Sequence, residues 1–300
     1  MTNVFVAGDV TFNSLIYLER FPQPVAQTAF SKGFHETVGG TAAGKALNLA
    51  RLGLDVTLHS LIGEDAPGQF IRQYFAREKL DFVYDIDPKG TQRHVNLMED
   101  SGARISIYVA YATFEPLIDL ERIAGCVAQC DVVALNLSNY CRRIIPLAKA
   151  HDKPVWCDIH DYDGKNAYHR DFIDGADVIT MSSDVMPDYK PFMEKLIAGG
   201  KQLVICTHGR KGSTALAADG RWIETPAITS YPQKDTNGAG DAFFAGVLYG
   251  YTRGDEIERC LRLGSVTAGL CISSSELYDP ELSAEKVEAE YSHHYPPPPL

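Results

Sequence analysis

Short apolar runs rich in β-branched residues, at positions 4–7, 56–62, 132–137, 155–157, 178–181 and 203–206, alternate along the chain with stretches at 41–52, 68–78, 144–150 and 191–198 whose apolar residues recur at helical spacing. Each run is closed by polar, glycine or proline residues, which is the pattern of parallel strands buried on both faces. Strand followed by helix followed by strand implies an α/β protein, with helices covering both sides of a central, mostly parallel sheet. At 300 residues, 45% apolar and 22% charged, the chain is long enough to enclose an extensive core and has an ordinary globular composition.

Two stretches break this rhythm. Residues 11–37 and 91–111 alternate apolar and polar side chains, as in Arg104-Ile105-Ser106-Ile107-Tyr108-Val109, the period of an antiparallel sheet with one wet face. They are expected to pair as a small β lid, discontinuous in sequence, on a core made of 1–10, 38–90 and 112–294. Residues 240–250 and 256–272 are expected to be helical, and the proline-rich tail 295–300 to fray.

Charge limits the partners. With 28 Lys+Arg against 39 Asp+Glu the net charge is −11, and no basic run exceeds Arg142-Arg143, so the face that would neutralise a nucleic-acid backbone is missing. A small phosphate compound remains open to such a chain, where backbone N–H groups supply the positive field. The seven cysteines (Cys126, Cys130, Cys141, Cys157, Cys206, Cys260 and Cys271) are scattered through apolar stretches and read as reduced core residues. No charged-then-apolar leader opens the sequence and no apolar run approaches membrane-spanning length. A cytoplasmic protein that binds neither membrane nor nucleic acid is the expectation.

The segment with most chemical content is Asp235-Thr236-Asn237-Gly238-Ala239-Gly240-Asp241, directly before an apolar helical pattern. The glycines allow a tight turn and remove side chains, so the N–H groups of Gly238, Ala239, Gly240 and Asp241 can converge at a helix N-terminus to form an anion hole. Asp241, in the first helical turn, has two physical readings. It is either a helix-capping carboxylate or a base that takes a proton from a hydroxyl attacking a bound phosphoryl group.

These residues resemble the signature of the ribokinase-like (PfkB) sugar and nucleoside kinases, and the resemblance covers most of the chain in order. Gly8-Asp9-Val10-Thr11-Phe12-Asn13 is similar to the family's opening strand. Gly39-Gly40-Thr41-Ala42-Ala43-Gly44-Lys45-Ala46 is similar to its substrate-side glycine motif. Ile62-Gly63-Glu64-Asp65, Pro154-Val155-Trp156-Cys157-Asp158 and Thr207-His208-Gly209-Arg210-Lys211-Gly212 follow in the family's sequence. The resemblance implies a three-layer α/β/α sandwich with a small antiparallel β lid, and ATP-dependent phosphorylation of a hydroxyl on a sugar or sugar-like molecule. Asp241 would be the catalytic base and would also meet the substrate. Asn13, Gly39, Gly40 and Gly44 would face the substrate, and Thr207, Gly209, Thr236 and Ser265 the ATP. Mg²⁺ would accompany ATP, Asp235 marks where relatives bind a monovalent cation such as K⁺, and paired lids would make a homodimer.

Departures from the family pattern bear on the substrate. Asn13 stands where sugar kinases usually carry an Asp, and Gly44 where they carry an Asn, so two expected partners of sugar hydroxyls are changed. The family's Asn-x-x-Glu motif would run from Ser182 to Val185 and matches at neither end, with Asp184 adjacent; Mg²⁺ would then be held mainly by ATP phosphates and water. Asn237 gives the motif the form found in adenosine kinases, so a nucleoside kinase is the alternative, with a non-catalytic ligand-binding relative a further one. Gly39-x-x-x-x-Gly44-Lys45 approaches a P-loop, but Ala46 stands where Ser or Thr must meet Mg²⁺. Lys45 is therefore read as a surface or substrate-edge residue, 35–38 as a weak buried strand, and Asp158 and Asp161 as solvated carboxylates of a loop.

Overall fold

A computed structural model describes residues 2–100 and 103–296. The apolar runs form strands β1 (Asn3–Ala7), β4 (Asp55–Ile62), β8 (Val132–Leu135), β9 (Val155–Asp158), β10 (Val178–Ser182) and β11 (Leu203–Thr207). Alternate side chains leave each strand on opposite faces, and because both faces are covered nearly every residue is buried. These strands join β5 (Asp81–Ile86), β12 (Ser213–Ala217) and β13 (Trp222–Thr225) in one sheet of order β13-β12-β11-β10-β9-β8-β1-β4-β5 among the described residues. Pairing is parallel throughout except at β11–β12 and β12–β13.

Helices α1 (Thr41–Arg51), α2 (Ala66–Phe75), α7 (Ala239–Thr252), α8 (Ile257–Ile272) and α9 (Ala284–His294) pack on one face. Helices α3 (Leu120–Gln129), α4 (Ile145–Ala150), α5 (Arg170–Gly175) and α6 (Lys190–Ala198) pack on the other, giving three layers. Trp156 of β9 is wholly buried, edge-on to Phe244 of α7 and Tyr251. Helix α2 begins two residues before the expected 68 because the Asp65 carboxylate accepts from the Gly68 N–H at 2.8 Å and Pro67 sits in its first turn.

A second, four-stranded sheet is built from β2 (Thr11–Leu18), β3 (Gly33–Gly39), β6 (Arg93–Glu99) and β7 (Arg104–Ala110). β2–β3 and β6–β7 are antiparallel pairs, joined by parallel pairing of β2 with β6. The stretch read as a buried strand at 35–38 lies in β3, but His35 and Glu36 are exposed and burial starts only at Thr37, because β3 is an edge strand that enters the core only at its C-terminal end. At the C-terminus Tyr295 is held rather than frayed, with its ring against Tyr291 and beneath the Arg262 guanidinium. The remainder of the expected tail, 297–300, lies outside the described residues.

The C-terminal ends of β1, β8, β9, β10 and β11 open toward the same side of the sheet. Residues just beyond or at those ends, including Gly8, Asp9, Leu137, Asp158, Ser182 and Thr207, line one large cavity. Open parallel sheets bind ligands at this edge.

Candidate active site

The Gly-rich segment lies between β13 and α7. Gly238 caps α7 in the left-handed region at φ 80°, which a side chain would resist, and its carbonyl accepts the Ala242 N–H at 2.8 Å. The Ala239 N–H is directed at the Thr236 carbonyl at 3.3 Å. The N–H groups of Gly240 and Asp241 remain as first-turn donors at the positive end of a 14-residue helix.

Gly240 lines two cavities at once. The larger, of about 870 Å³, is also lined by Asp9, Thr41, Asp158, Tyr108, Tyr111 and Phe114. The smaller, of about 260 Å³, is lined by all four residues expected on the ATP side, Thr207, Gly209, Thr236 and Ser265, together with Ala239 and Phe243. Thr207, Gly209 and Phe243 border both cavities.

Asp241 is buried, and its Oδ1 accepts a hydrogen bond from Lys45 Nζ at 2.5 Å. Lys45 corrects the sequence reading: it is wholly buried, not a surface residue. Its ammonium also reaches Asp158 Oδ2 at 3.0 Å and Asn136 Oδ1 at 3.0 Å, which uses all three of its donors. Asp158 is likewise drawn out of solvent into this network, with its Oδ1 accepting the His160 N–H at 3.0 Å. Burial alone would raise the Asp158 carboxyl, but His160 and Lys45 hold it well below the usual carboxylate range. Burial pushes Asp241 up, and Asp158 adds to this, while Lys45 pulls it back; the net direction is upward. Burial would lower Lys45, yet the two carboxylates raise it above its ordinary value.

A sequence signal for this burial exists. Residues 42–49 of α1 are almost all apolar, and a helix apolar on every side is buried along with whatever cation it carries.

The substrate-side residues separate into two groups. Asn13 does not line either cavity; its amide lies against Gly39, where a Cβ would come within 2.0 Å of Asn13 Nδ2, and its Oδ1 accepts from the Thr11 hydroxyl at 2.7 Å. Gly39, Gly40, Gly44 and Asp241 itself are also absent from the cavity walls, where Asp241's neighbour Gly240 stands instead. Gly40 lets the chain pass the Asp9 carbonyl, which a Cβ would meet at 2.3 Å, and Gly44 gives room to the Asp241 carboxylate. The side chains that do reach the cavity here are Asp9 and Thr41, whose hydroxyl donates to Asp9 Oδ1 at 3.0 Å.

Asp235 is buried, with Oδ1 accepting the Asn237 N–H at 2.7 Å, and burial raises its carboxyl. Its own N–H and that of Lys234 point to the Ile272 carbonyl. From the second sheet, Arg104 reaches the Asn237 side chain and lines the large cavity.

A buried carboxylate at a helix start, one residue after the glycine that borders two adjoining cavities, is an arrangement suited to phosphoryl transfer. The profile of the pfkB family carbohydrate kinases matches residues 1–284, and the chain belongs to that family. It is a phosphotransferase of the ribokinase fold, acting with ATP on a sugar hydroxyl. Its relatives include acarbose 7(IV)-phosphotransferase of Actinoplanes sp., 28% identical over 88% of this chain and 90% of that one. Cytidine kinase of Thermococcus kodakarensis is 28% identical over 88% of this chain and 94% of that protein. Among solved structures, a microbiome-derived acarbose kinase, Mak1, superposes with a TM-score of 0.89 at 26% identity, over 97% of this chain and 99% of that one.

Proposed function

We propose that the enzyme binds the adenosine end of ATP in the smaller cavity, with the triphosphate passing Gly240 into the larger one, which also takes a sugar or sugar-like acceptor of more than one ring. The observation that carries this is Gly240, the common wall of the two cavities, one residue from Asp241. The attacking hydroxyl would enter from the larger cavity and give its proton to Asp241, while the N–H groups of Gly240 and Asp241 stabilise charge on the transferred group. Burial lifts Asp241 from the ordinary carboxylate range toward a stronger base.

The acceptor is inferred from the walls of its cavity. A volume of about 870 Å³ is far more than one hexose fills, and Tyr108, Tyr111 and Phe114, each at least half exposed, line it. The Tyr108 and Tyr111 rings lie nearly parallel, 11° apart with centroids at 5.8 Å, a platform for the C–H faces of sugar rings. Asp9 and Thr41 would hold sugar hydroxyls, as charged and hydroxyl groups placed in such a pocket do. The similarity to enzymes named for acarbose supports the same class.

Mg²⁺ would fit beside Asp184 and Ser182, hard oxygen donors on the larger cavity, where it would screen phosphate charge and be held largely through water. Asp235 suits a monovalent cation, since a buried carboxylate raised by desolvation would be stabilised by a cation beside it. The second sheet would act as a lid over the cleft, and its edge strand β7 would pair two copies of the chain. All seven cysteines are free, which suits a reducing, cytoplasmic setting.

The test is ADP release across one- to four-ring sugars and a set of nucleosides, with wild type and Asp241→Asn. Turnover is expected on multi-ring sugars, falling by about 10²–10⁴-fold in Asp241→Asn, with ATP binding retained. Turnover on nucleosides alone would replace the sugar reading with the second one that Asn237 and the cytidine kinase relative favour. Unchanged activity in Asp241→Asn would remove the base.

A further inference from the structure

Lys45, Asp158 and Asn136 have no part in the chemistry described above, yet they meet at the proposed base. Lys45 comes from the first turn and a half of α1, Asn136 from the end of β8, Asp158 from the end of β9 and Asp241 from the start of α7. The ammonium is fully enclosed, saturated by three oxygen acceptors, and lies 5.1 Å from the centre of the Phe244 ring. A flexible side chain is thereby held to one geometry. Its shortest contact, 2.5 Å, takes Oδ1 of Asp241.

Gly44 completes the arrangement from the other side. A Cβ at that position would come within 2.8 Å of Asp241 Oδ2 and 3.1 Å of its Cγ, so the carboxylate occupies the volume that a larger residue at 44 would fill. Gly44 and Lys45 are adjacent and act on the two oxygens of one carboxylate.

We propose that Lys45 is a positioning residue for phosphotransfer: it pins Oδ1 of Asp241, while Gly44 makes room for the carboxylate, leaving Oδ2, which has no hydrogen-bond partner among the described residues, as the oxygen that accepts the proton from the substrate. Asp158 shares the ammonium, so that Lys45 orients the base without neutralising it. A contact to a single carboxylate would form a closed pair and suppress basicity. The inference rests on Asp241 being the base.

The groups facing Asp241 are Lys45 from α1, Asp158 from β9, His160 beyond β9 and Cys271 of α8. Removing the ammonium leaves Asp158 to repel the charge on Asp241, so the base would need a higher pH to ionise.

The experiment uses the full-length enzyme with the sugar and ATP identified by the panel above. Lys45→Met should lower kcat by about 100-fold, the scale of a misplaced catalytic group, with KM for both substrates within about threefold and the acid limb of the kcat profile moved to higher pH. Lys45→Met leaves two carboxylates facing each other, so Lys45→Met/Asp158→Asn, which keeps the net charge of the cluster, is measured beside it, with melting curves for both. If orientation is the role, the double variant folds and stays slow; recovery of wild-type kcat in it would overturn the proposal in favour of simple charge balance. A folded Lys45→Met enzyme with wild-type kcat and pH profile would also overturn it. Asp241→Asn run in parallel separates the two ideas: if it is inactive while Lys45→Met is unaffected, only the role of Lys45 fails, and if it is fully active, the base itself is wrong.

Discussion

Two carboxylates within hydrogen-bonding distance of one ammonium, nearly all out of water, make the centre of this enzyme sensitive to protons. Asp158 is ionised more readily in the folded chain than in the unfolded one, because His160 and Lys45 favour its charge despite burial. Its folded value is depressed, so its contribution to stability is fully present above the unfolded carboxylate range near pH ~4 and is lost as pH falls through that range toward the folded value. Asp241, shifted the other way, works in the opposite sense. Thermal melts between pH 6 and 3 should therefore show a decline in wild type that is shallower in Asp158→Asn; an identical slope would mean that Asp158 does not carry the linkage. Beyond the apolar surroundings of Lys45 in α1, this network was not legible from local spacing. Lys45 follows a near-P-loop, where a helical lysine is ordinarily on the surface, and Asp158 sits in a sequence of polar residues resembling a loop. Their meeting depends on four segments that only the folded sheet brings together. Asp241 was legible because the residues that define its setting, 235–241, are contiguous.

At the level of elements, helix α7 owes its start to Gly238. The residue is in the left-handed region at φ 80°, and a Cβ would come to 3.1 Å from the Leu277 carbonyl. Gly238→Ala should cost about 1–2 kcal/mol from the backbone conformation alone, lowering Tm by several degrees, and should raise KM for ATP because the first-turn N–H groups are re-aimed. A melting curve and ATP titration check both, and a variant with wild-type values in each would show that the turn tolerates a side chain. The parallel strands were legible because both faces are buried and the residues are β-branched. β13 is a four-residue edge strand with half its residues exposed, and β5 an edge strand with no fully buried residue, so neither has a pattern of core burial to reveal it. Helix α3 was missed for a related reason: it buries only Ile123 and Val127, and its start is set by the Asp119 cap, which accepts the Arg122 N–H at 3.0 Å.

The molecule as a whole has a core sheet closed on both faces by helices and a second sheet that is not. On β7, Ile105, Ile107 and Val109 are 42%, 44% and 51% exposed along an edge strand with no neighbour on one side among the described residues. Such a row of apolar groups and unpaired backbone invites another strand. If it pairs two copies as proposed, light scattering of the wild type should give twice the chain mass and Ile107→Asp should give the monomer; a wild-type monomer at micromolar concentration would rule the pairing out. Sequence alternation exposed this sheet and placed Tyr108 and Tyr111 at a lid strand, able either to cover a substrate or to pack a core, but not Phe114 beside them, because the aromatic surface is completed where the strand leaves the sheet.

Gly240, placed between the two cavities, has a consequence for stereochemistry. A Cβ built there would meet nothing within 4 Å, so at this point the boundary is bare backbone beside open space. With both ligands bound on either side of it, donor and acceptor oxygens can lie on opposite sides of one phosphorus atom. On this reading the reaction is a single displacement within a ternary complex, and the configuration at phosphorus is inverted once.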